Sequence, residues 1–488
     1  MKRHRRVAVV LLFTLIIVSV PKGSIADSSP VHDIEGGEIL SLMPVDPPIS
    51  NPDDTIEGCS SVIVTGNATR DGRAILMKNR DLSDVPRNVP VYVPATKTNY
   101  AFVGVNTNAM GINEKGLAVM NTYLPALAGS NLIEGNTILN QRILELCESV
   151  DEVAHALNDS RSVIGPLYRH YLGHVATCVG VVDRFGSGAF FEISDTEAYV
   201  QYVVDDYDTR ANHPRIFPGI ASGPNGRDQY LLDALEEVYE EHGYISPVHV
   251  MQDVSRYVHH KELGSANFSI EGEPCNPNTV SSMVAVSGDE RYDGLLNCMW
   301  TACGPNPIVG VYVPSMVCAE MVPESIEDLW ARTRDKYKSA RALPFTPEGV
   351  LYPVRVREVQ NFAFFAENYT VSAYQQLMSS VPDGLSDDQV RNTIQTFIIE
   401  MDDYSSRIFI EETTDIDTPP LIEFPSVTST TSTTSTTSTT STTVTPSTTT
   451  SSTSESLYEG QILSMTVGAV SGLSLVLIMA VLLKRRLS

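Results

Sequence analysis

Basic residues are scarce in this 488-residue chain, where 34 Lys and Arg stand against 59 Asp and Glu. Setting aside five basic residues in the first 26 and three at the C-terminus leaves 26 against 59, a balance of −33. This balance argues against nucleic acid as a partner, because phosphate binding needs clustered Lys and Arg. Zinc spacing is missing as well, with no Cys-x-x-Cys pair and no Cys/His cluster. His170 and His174 have helical spacing but no adjacent catalytic glutamate, and His259-His260 reads as a surface pair. The histidines form no evident Ser/His/Asp arrangement either, and nothing repeats internally outside one Ser/Thr tract.

Long hydrophobic runs are confined to the two ends. Residues 2–6 are basic, residues 7–20 are apolar, and Ser24-Ile25-Ala26 places small residues ahead of Asp27. This pattern predicts a secretory signal peptide, residues 1–26, since 14 apolar residues fall short of the roughly 20 that span a bilayer. Residues 462–483 are uncharged and mostly apolar and are followed by Lys484-Arg485-Arg486, which predicts a transmembrane helix with the 484–488 tail inside. The chain between the two is then expected outside the cell, as a single-pass membrane protein. Residues 426–456 are Ser and Thr apart from Val427, Val444, Pro446 and Glu455, which predicts a hydrated, O-glycosylated stalk. Sequons at Asn67, Asn158, Asn267 and Asn368 agree with that location.

Seven cysteines are present: Cys59, Cys147, Cys178, Cys275, Cys298, Cys303 and Cys318. In an oxidising compartment an odd count leaves one thiol, stray or functional, while the other six allow up to three bridges in any of 15 connectivities.

Residues 27–58 are rich in Pro, Asp, Ser and Gly and show no sustained period, as a propeptide or an ordinary linker does. From Cys59 the texture becomes β-rich, with strands expected at 61–65, 74–78, 101–105, 117–123, 176–183, 188–194, 198–205, 281–287 and 308–314. Helices are expected at 139–157, 227–241, 324–341 and 386–403. Grouped strands punctuated by amphipathic helices predict an α+β layered domain over 59–425.

Cys59 opens the first of these strands, and Asp71-Gly72 marks a hairpin turn. The returning strand ends at Lys78-Asn79-Arg80-Asp81, so Cys59 and Asp81 are expected side by side. Taken alone, a cysteine opening a strand is more often a core or disulfide residue.

Cys59 with Lys78-Asn79-Arg80-Asp81 resembles the first hairpin of the choloylglycine hydrolases and the penicillin acyl-transferring enzymes. Both are cysteine N-terminal-nucleophile families. Further matches follow in order. Gly111-Ile112-Asn113-Glu114-Lys115-Gly116-Leu117-Ala118-Val119 is similar to the family's turn and strand, and Asn121 matches its oxyanion-binding asparagine. Gly180 to Ser194, with Val182-Asp183 and Glu192, resembles the central hairpin. Asn212 in Ala211-Asn212-His213-Pro214 matches a second asparagine near the reacting carbonyl, and Arg227 matches the active-site arginine.

The resemblance spans roughly 59–340 and implies a four-layer αββα sandwich cut by its own chemistry between Gly58 and Cys59. It implies that the freed α-amine serves as base for its own thiol. Their reference pKa values, about 7.7–8.0 and 8.5, suit that transfer. An amide N–H from Asn121 or Asn212 then donates to the tetrahedral oxyanion, Asp81 holds the ammonium, and Arg227 pairs with Asp81 or with a substrate carboxylate. No metal or organic cofactor is implied, and the implied partner is a small-molecule amide or short peptide substrate. Lys78 stands where choloylglycine hydrolases carry arginine, which keeps the charge and loses the two-pronged contact. The first strand and the Asn-Glu-Lys-Gly-Leu segment also resemble secreted dipeptidases of the superfamily, and the stretch from Trp300 to Pro314 resembles that group or the acyltransferases. A dipeptidase, an acyltransferase and an inactive surface-binding protein on the same fold therefore stay open beside an amidohydrolase.

Overall fold

The computed structural model describes residues 58–82, 89–105, 110–127, 135–158, 176–194, 197–257, 274–276, 278–288, 290–302, 306–340, 353–382 and 384–425. They fall within a compact unit that ends at Val427. The expected signal, stalk, membrane helix and tail lie outside the described residues, as do His170, His174, His259, His260, Asn267 and Cys303. Among the described residues no helix is long and apolar enough to cross a membrane.

One antiparallel sheet is built from β1 (Gly58–Val64), β2 (Ile75–Asp81), β10 (Tyr207–Arg210), β11 (Thr279–Val286), β12 (Cys298–Ala302) and β13 (Tyr312–Ser315), in the order β10-β1-β2-β11-β12-β13. The other runs in chain order through β3 (Pro90–Val93), β4 (Phe102–Val105), β5 (Met110–Asn113), β6 (Ala118–Tyr123), β7 (Thr177–Val182), β8 (Gly188–Ile193) and β9 (Ala198–Tyr202). The strands alternate between two apolar faces. Ile63, Leu76, Met283, Ala285 and Met299 of the first sheet meet Val103, Ile112, Met120, Cys178 and Phe190 of the second. Their neighbours Val62, Val64, Ile75, Met77, Val284 and Trp300 turn the other way. A side-chain period of two with both faces apolar is what a sheet buried on both sides requires.

Helices cover the outer faces. α1 (Gly135–Leu146) and α2 (Val150–Asn158) place Leu139, Ile143 and Val153 against Val119, Val181 and Phe191 of the second sheet. α3 (Arg227–His242) lays Leu231, Leu235 and Val238 on the first sheet, beside Tyr374 of α5 (Pro353–Ser379) and Phe397 of α6 (Asp387–Glu411). α4 (Ile326–Ala340) packs Ile326 and Leu329 beside Val359 of α5. Each fully buried aliphatic or aromatic side chain contributes about 1.5–3 kcal/mol relative to exposure.

Three differences from expectation have local causes. The 139–157 helix is two helices, because the Asp183 carboxylate accepts the Val150 N–H at 2.9 Å and starts a new helix there. The segment 308–314 begins as a 3₁₀ turn, with the Asn306 side chain capping it and β13 starting only at Tyr312. α5 was not expected, since its sequence is heavy in Val, Phe and Tyr; burial of Val359, Ala363, Ala366, Val371, Tyr374 and Leu377 overrides propensity.

Candidate active site

The site forms where β1 begins, at the seam between the two sheets. In the β1–β2 pairing Gly58 lies opposite Asp81 and Cys59 opposite Arg80. Paired residues share a face, so the Asp81 side chain lies on the face of Gly58 and the Cys59 thiol on the other, with Lys78. Asp81 therefore adjoins Gly58 rather than the thiol. That is one residue off the expected side-by-side placement with Cys59.

Asp81 is clamped from three sides, accepting from Arg227 Nη1 at 2.5 Å, Thr279 Oγ1 at 2.6 Å and Asn276 Nδ2 at 2.8 Å. Burial pushes its carboxyl above the usual range, opposed by Arg227, Thr279, Asn276 and Lys78 in that order. These three donors hold the carboxylate beside Arg227 and Gly58. Gly58 has no room for a side chain. A Cβ there would sit 2.5 Å from Arg227 Nη1 and 2.7 Å from Asp81 Oδ2.

Asn212, two residues past β10, bridges the seam. Its Oδ1 accepts the Cys59 backbone N–H at 2.7 Å and Arg227 Nη2 at 2.8 Å, while its Nδ2 donates to the Tyr123 carbonyl of β6 at 2.7 Å. One of the two Nδ2 hydrogens of Asn212 goes to Tyr123, and its Oδ1 accepts from the nitrogen of Cys59.

Lys78 is buried, and its Nζ donates to both the Asn121 carbonyl, at 2.5 Å, and Asn121 Oδ1, at 3.1 Å. Holding the oxygen of that amide orients its Nδ2 hydrogens as donors on the other side. The five expected residues Asp81, Asn121, Asn212, Arg227 and Lys78 thus make two contiguous groups. Arg227, Asp81 and Asn212 meet at Gly58 and the Cys59 nitrogen; Lys78 meets Asn121.

Asn276 and Thr279 escaped sequence reading, although Asn276-Pro277-Asn278-Thr279 carries a turn signal just ahead of β11. The adjacent Pro274 carbonyl accepts from Ser60 Oγ and Asn79 Nδ2, so this segment also braces β1 and β2.

Cys59, Cys147, Cys178, Cys275, Cys298 and Cys318 are all unbridged and buried. Burial pushes the thiols of Cys147, Cys178 and Cys318 up to about 12, which leaves them protonated and inert at neutral pH. Among the described residues no group of three or more His, Cys, Asp or Glu is placed to hold a metal ion.

Residues 68–259 match the family described as acyl-coenzyme A:6-aminopenicillanic acid acyl-transferase. That stretch holds Lys78, Asp81, Asn121, Asn212 and Arg227 and starts after Cys59. The resemblance expected from the sequence is borne out by this match. No curated protein matches the chain. Among solved structures, the conjugated bile acid hydrolase of Clostridium perfringens in a mutant form shares 18% identity over 37% of this chain and 57% of its own, at a TM-score of 0.23. A second variant of that hydrolase shares 15% over 50% and 89%, at 0.31. The penicillin V acylase of Agrobacterium tumefaciens shares 12% over 53% and 86%, at 0.30. The chain thus spans a little over half the length of the first of these structures.

Proposed function

We propose that this chain is an N-terminal-nucleophile enzyme acting on carbon–nitrogen bonds, built on the αββα architecture, in which Cys59 is both the cutting residue and the catalytic nucleophile. The observation that carries the reading is the Asn212 contact. The backbone nitrogen that would become the catalytic amine is already held by a side-chain oxygen at 2.7 Å, and Arg227 fixes that same oxygen.

In the first stage the Cys59 thiol adds to the Gly58 carbonyl, and the C–N bond breaks as the acyl group moves to sulfur. Water hydrolyses that thioester, releasing a Gly58 carboxylate and leaving Cys59 with a free α-amine. In the second stage the amine takes the thiol proton, and the thiolate adds to a substrate amide. Asn121 Nδ2 donates to the oxyanion, a contribution typically of about 10²- to 10³-fold per donor. The ammonium gives its proton to the leaving amine, and the same amine then activates water against the thioester. An amine in place of water gives acyl transfer.

The name of the matching family, an acyl transfer to 6-aminopenicillanic acid, suggests small acylated amines as substrates. The expected signal peptide, stalk and membrane helix support a cell-surface placement with this domain outside.

The test is to incubate the full chain with N-acylated amines, unblocked dipeptides and N-blocked dipeptides, and to look for an acyl mass increment on the Cys59 peptide after acid quench. An increment from acylated amines supports the reading. Turnover confined to unblocked dipeptides favours the dipeptidase, and product diverted to added amine favours the transferase. No increment with any of these contradicts the proposal.

A further inference from the structure

Glu192 lies on β8 with its side chain on the same face as Phe190, in the core between the two sheets, and is fully buried. An apolar side chain would serve packing there at no desolvation cost, whereas an ionised carboxylate in such a place needs a dedicated set of donors. The donors are specific. Oε1 accepts the Arg215 backbone N–H at 2.5 Å, and Oε2 accepts those of Ile216 at 3.0 Å and Phe217 at 2.9 Å. Three successive N–H groups make a concave anion site of the kind a backbone nest provides. They belong to the segment that begins three residues after Asn212. The Arg210 Nε lies 3.8 Å from the same carboxylate, on the residue that ends β10 two positions before Asn212. Glu192 thus grips the chain on both sides of Asn212.

The segment's far end is anchored separately. Asp228, also fully buried, accepts from Arg215 Nη1 at 2.9 Å and from the Asn225 N–H at 2.8 Å, next to Arg227 at the start of α3. Between these anchors the three bonds to Glu192 fix the 215–217 backbone, which adds to the direct hold of Arg227 and Tyr123 on the Asn212 amide.

We propose that Glu192 is a positioning residue for the reaction: it holds the 215–217 backbone so that Asn212 Oδ1 stays on the nitrogen of Cys59. The inference rests on the proposed role of that nitrogen. It gives the carboxylate on the second sheet a direct line to the amine on the first. Replacing it with Gln keeps the volume and one acceptor oxygen but turns an NH₂ group toward backbone donors. A misplacement of about 1 Å at such a site costs on the order of 10²-fold in rate.

Two readouts on the full chain test this. The first uses Cys59→Ala protein, which retains the bond before residue 59, and measures amide hydrogen exchange at residue 59 with Glu192, with Glu192→Gln and with Glu192→Asp. Loss of protection by about tenfold or more in the Gln variant, with a smaller loss in Asp, is expected. Exchange within twofold of the parent in both variants overturns the proposal whether or not the chain is an enzyme. The second compares the pH dependence of kcat in wild-type and Glu192→Gln protein that still melts cooperatively. A fall of about 10²-fold with KM within threefold and a displaced amine limb is expected. An unchanged profile overturns the proposal. If Glu192→Gln does not fold, the Asp variant carries both measurements. A wild-type chain with no turnover refutes the functional reading alone, because the exchange arm still decides the role of Glu192.

Discussion

Replacing Gly58 by alanine separates the two stages of the proposed chemistry. The new Cβ would fall 2.5 Å from Arg227 Nη1 and 2.7 Å from Asp81 Oδ2. Both are ends of flexible side chains, yet neither is free to swing, because Asp81 is also held by Thr279 and Asn276, and Arg227 by Asn212. Room for the methyl group comes either from breaking one of these charge-assisted bonds or from moving the strand end. The expected cost to the uncut chain is about 1–3 kcal/mol, the usual range for overpacking. If half of that is felt only in the aligned geometry for attack, cutting slows by roughly 2- to 13-fold, at a tenfold per 1.36 kcal/mol. Once cut, the protein no longer contains residue 58, so turnover per cut molecule is expected to match wild type. The assay is a time course of intact mass, with amidase activity normalised to the cut fraction. Cutting at the wild-type rate would refute the argument that Gly58 is required by its contacts, and slow turnover by the cut variant would refute the separation of stages.

Lys78→Met removes the donor that holds the Asn121 oxygen and should lower kcat by about tenfold, against about 10²-fold for Asn121→Ala; steady-state kinetics on both variants decides the order. Thr279→Val takes one hydrogen bond from the buried Asp81 carboxylate and should destabilise the fold by about 1.5–3 kcal/mol, read by denaturant unfolding. His249 supplies a pH prediction. Burial first, and His242 next, hold its imidazole down at about 4, and its Nδ1 accepts the Ser246 N–H. Above pH 6.5 the ring is neutral folded and unfolded. Below it the unfolded chain binds a proton that the folded chain resists, so the stability this site gives is lost as pH falls from 6.5 through about 4. His249→Gln keeps an acceptor for the Ser246 N–H without a titrating group, and should lose about 2 °C less in Tm than wild type between pH 7 and 4.5, a small effect because the ring is partly exposed. Equal losses would contradict it.

Much of the site was legible because its chemistry is carried by residue types in a fixed order along a hairpin-rich chain. Cys59, Lys78 and Asp81 lie on one hairpin, and a turn signal at Asp71-Gly72 was enough to bring the ends together. The register was not legible. A shift of one residue moves a side chain to the other face, which is why Asp81 adjoins Gly58 and not the thiol. Asn276 and Thr279 were missed because their partner Asp81 is 195 and 198 residues away, and no local pattern encodes a pairing at that distance. The atoms Asn212 uses were likewise hidden, because sequence supplies an amide and only the fold decides which end faces Cys59. α5 was missed for a different reason. Its β-branched and aromatic residues argue against a helix until the sheet and α6 bury them.

The most direct test of the central claim is the intact mass and N-terminal sequence of the purified full chain, wild type beside Cys59→Ala. The account predicts a wild-type chain that begins at Cys59 and a mutant that keeps the peptide bond after Gly58. A wild-type chain that retains the Gly58–Cys59 bond after prolonged incubation would contradict it, because Cys59 would then have no α-amine to act as base.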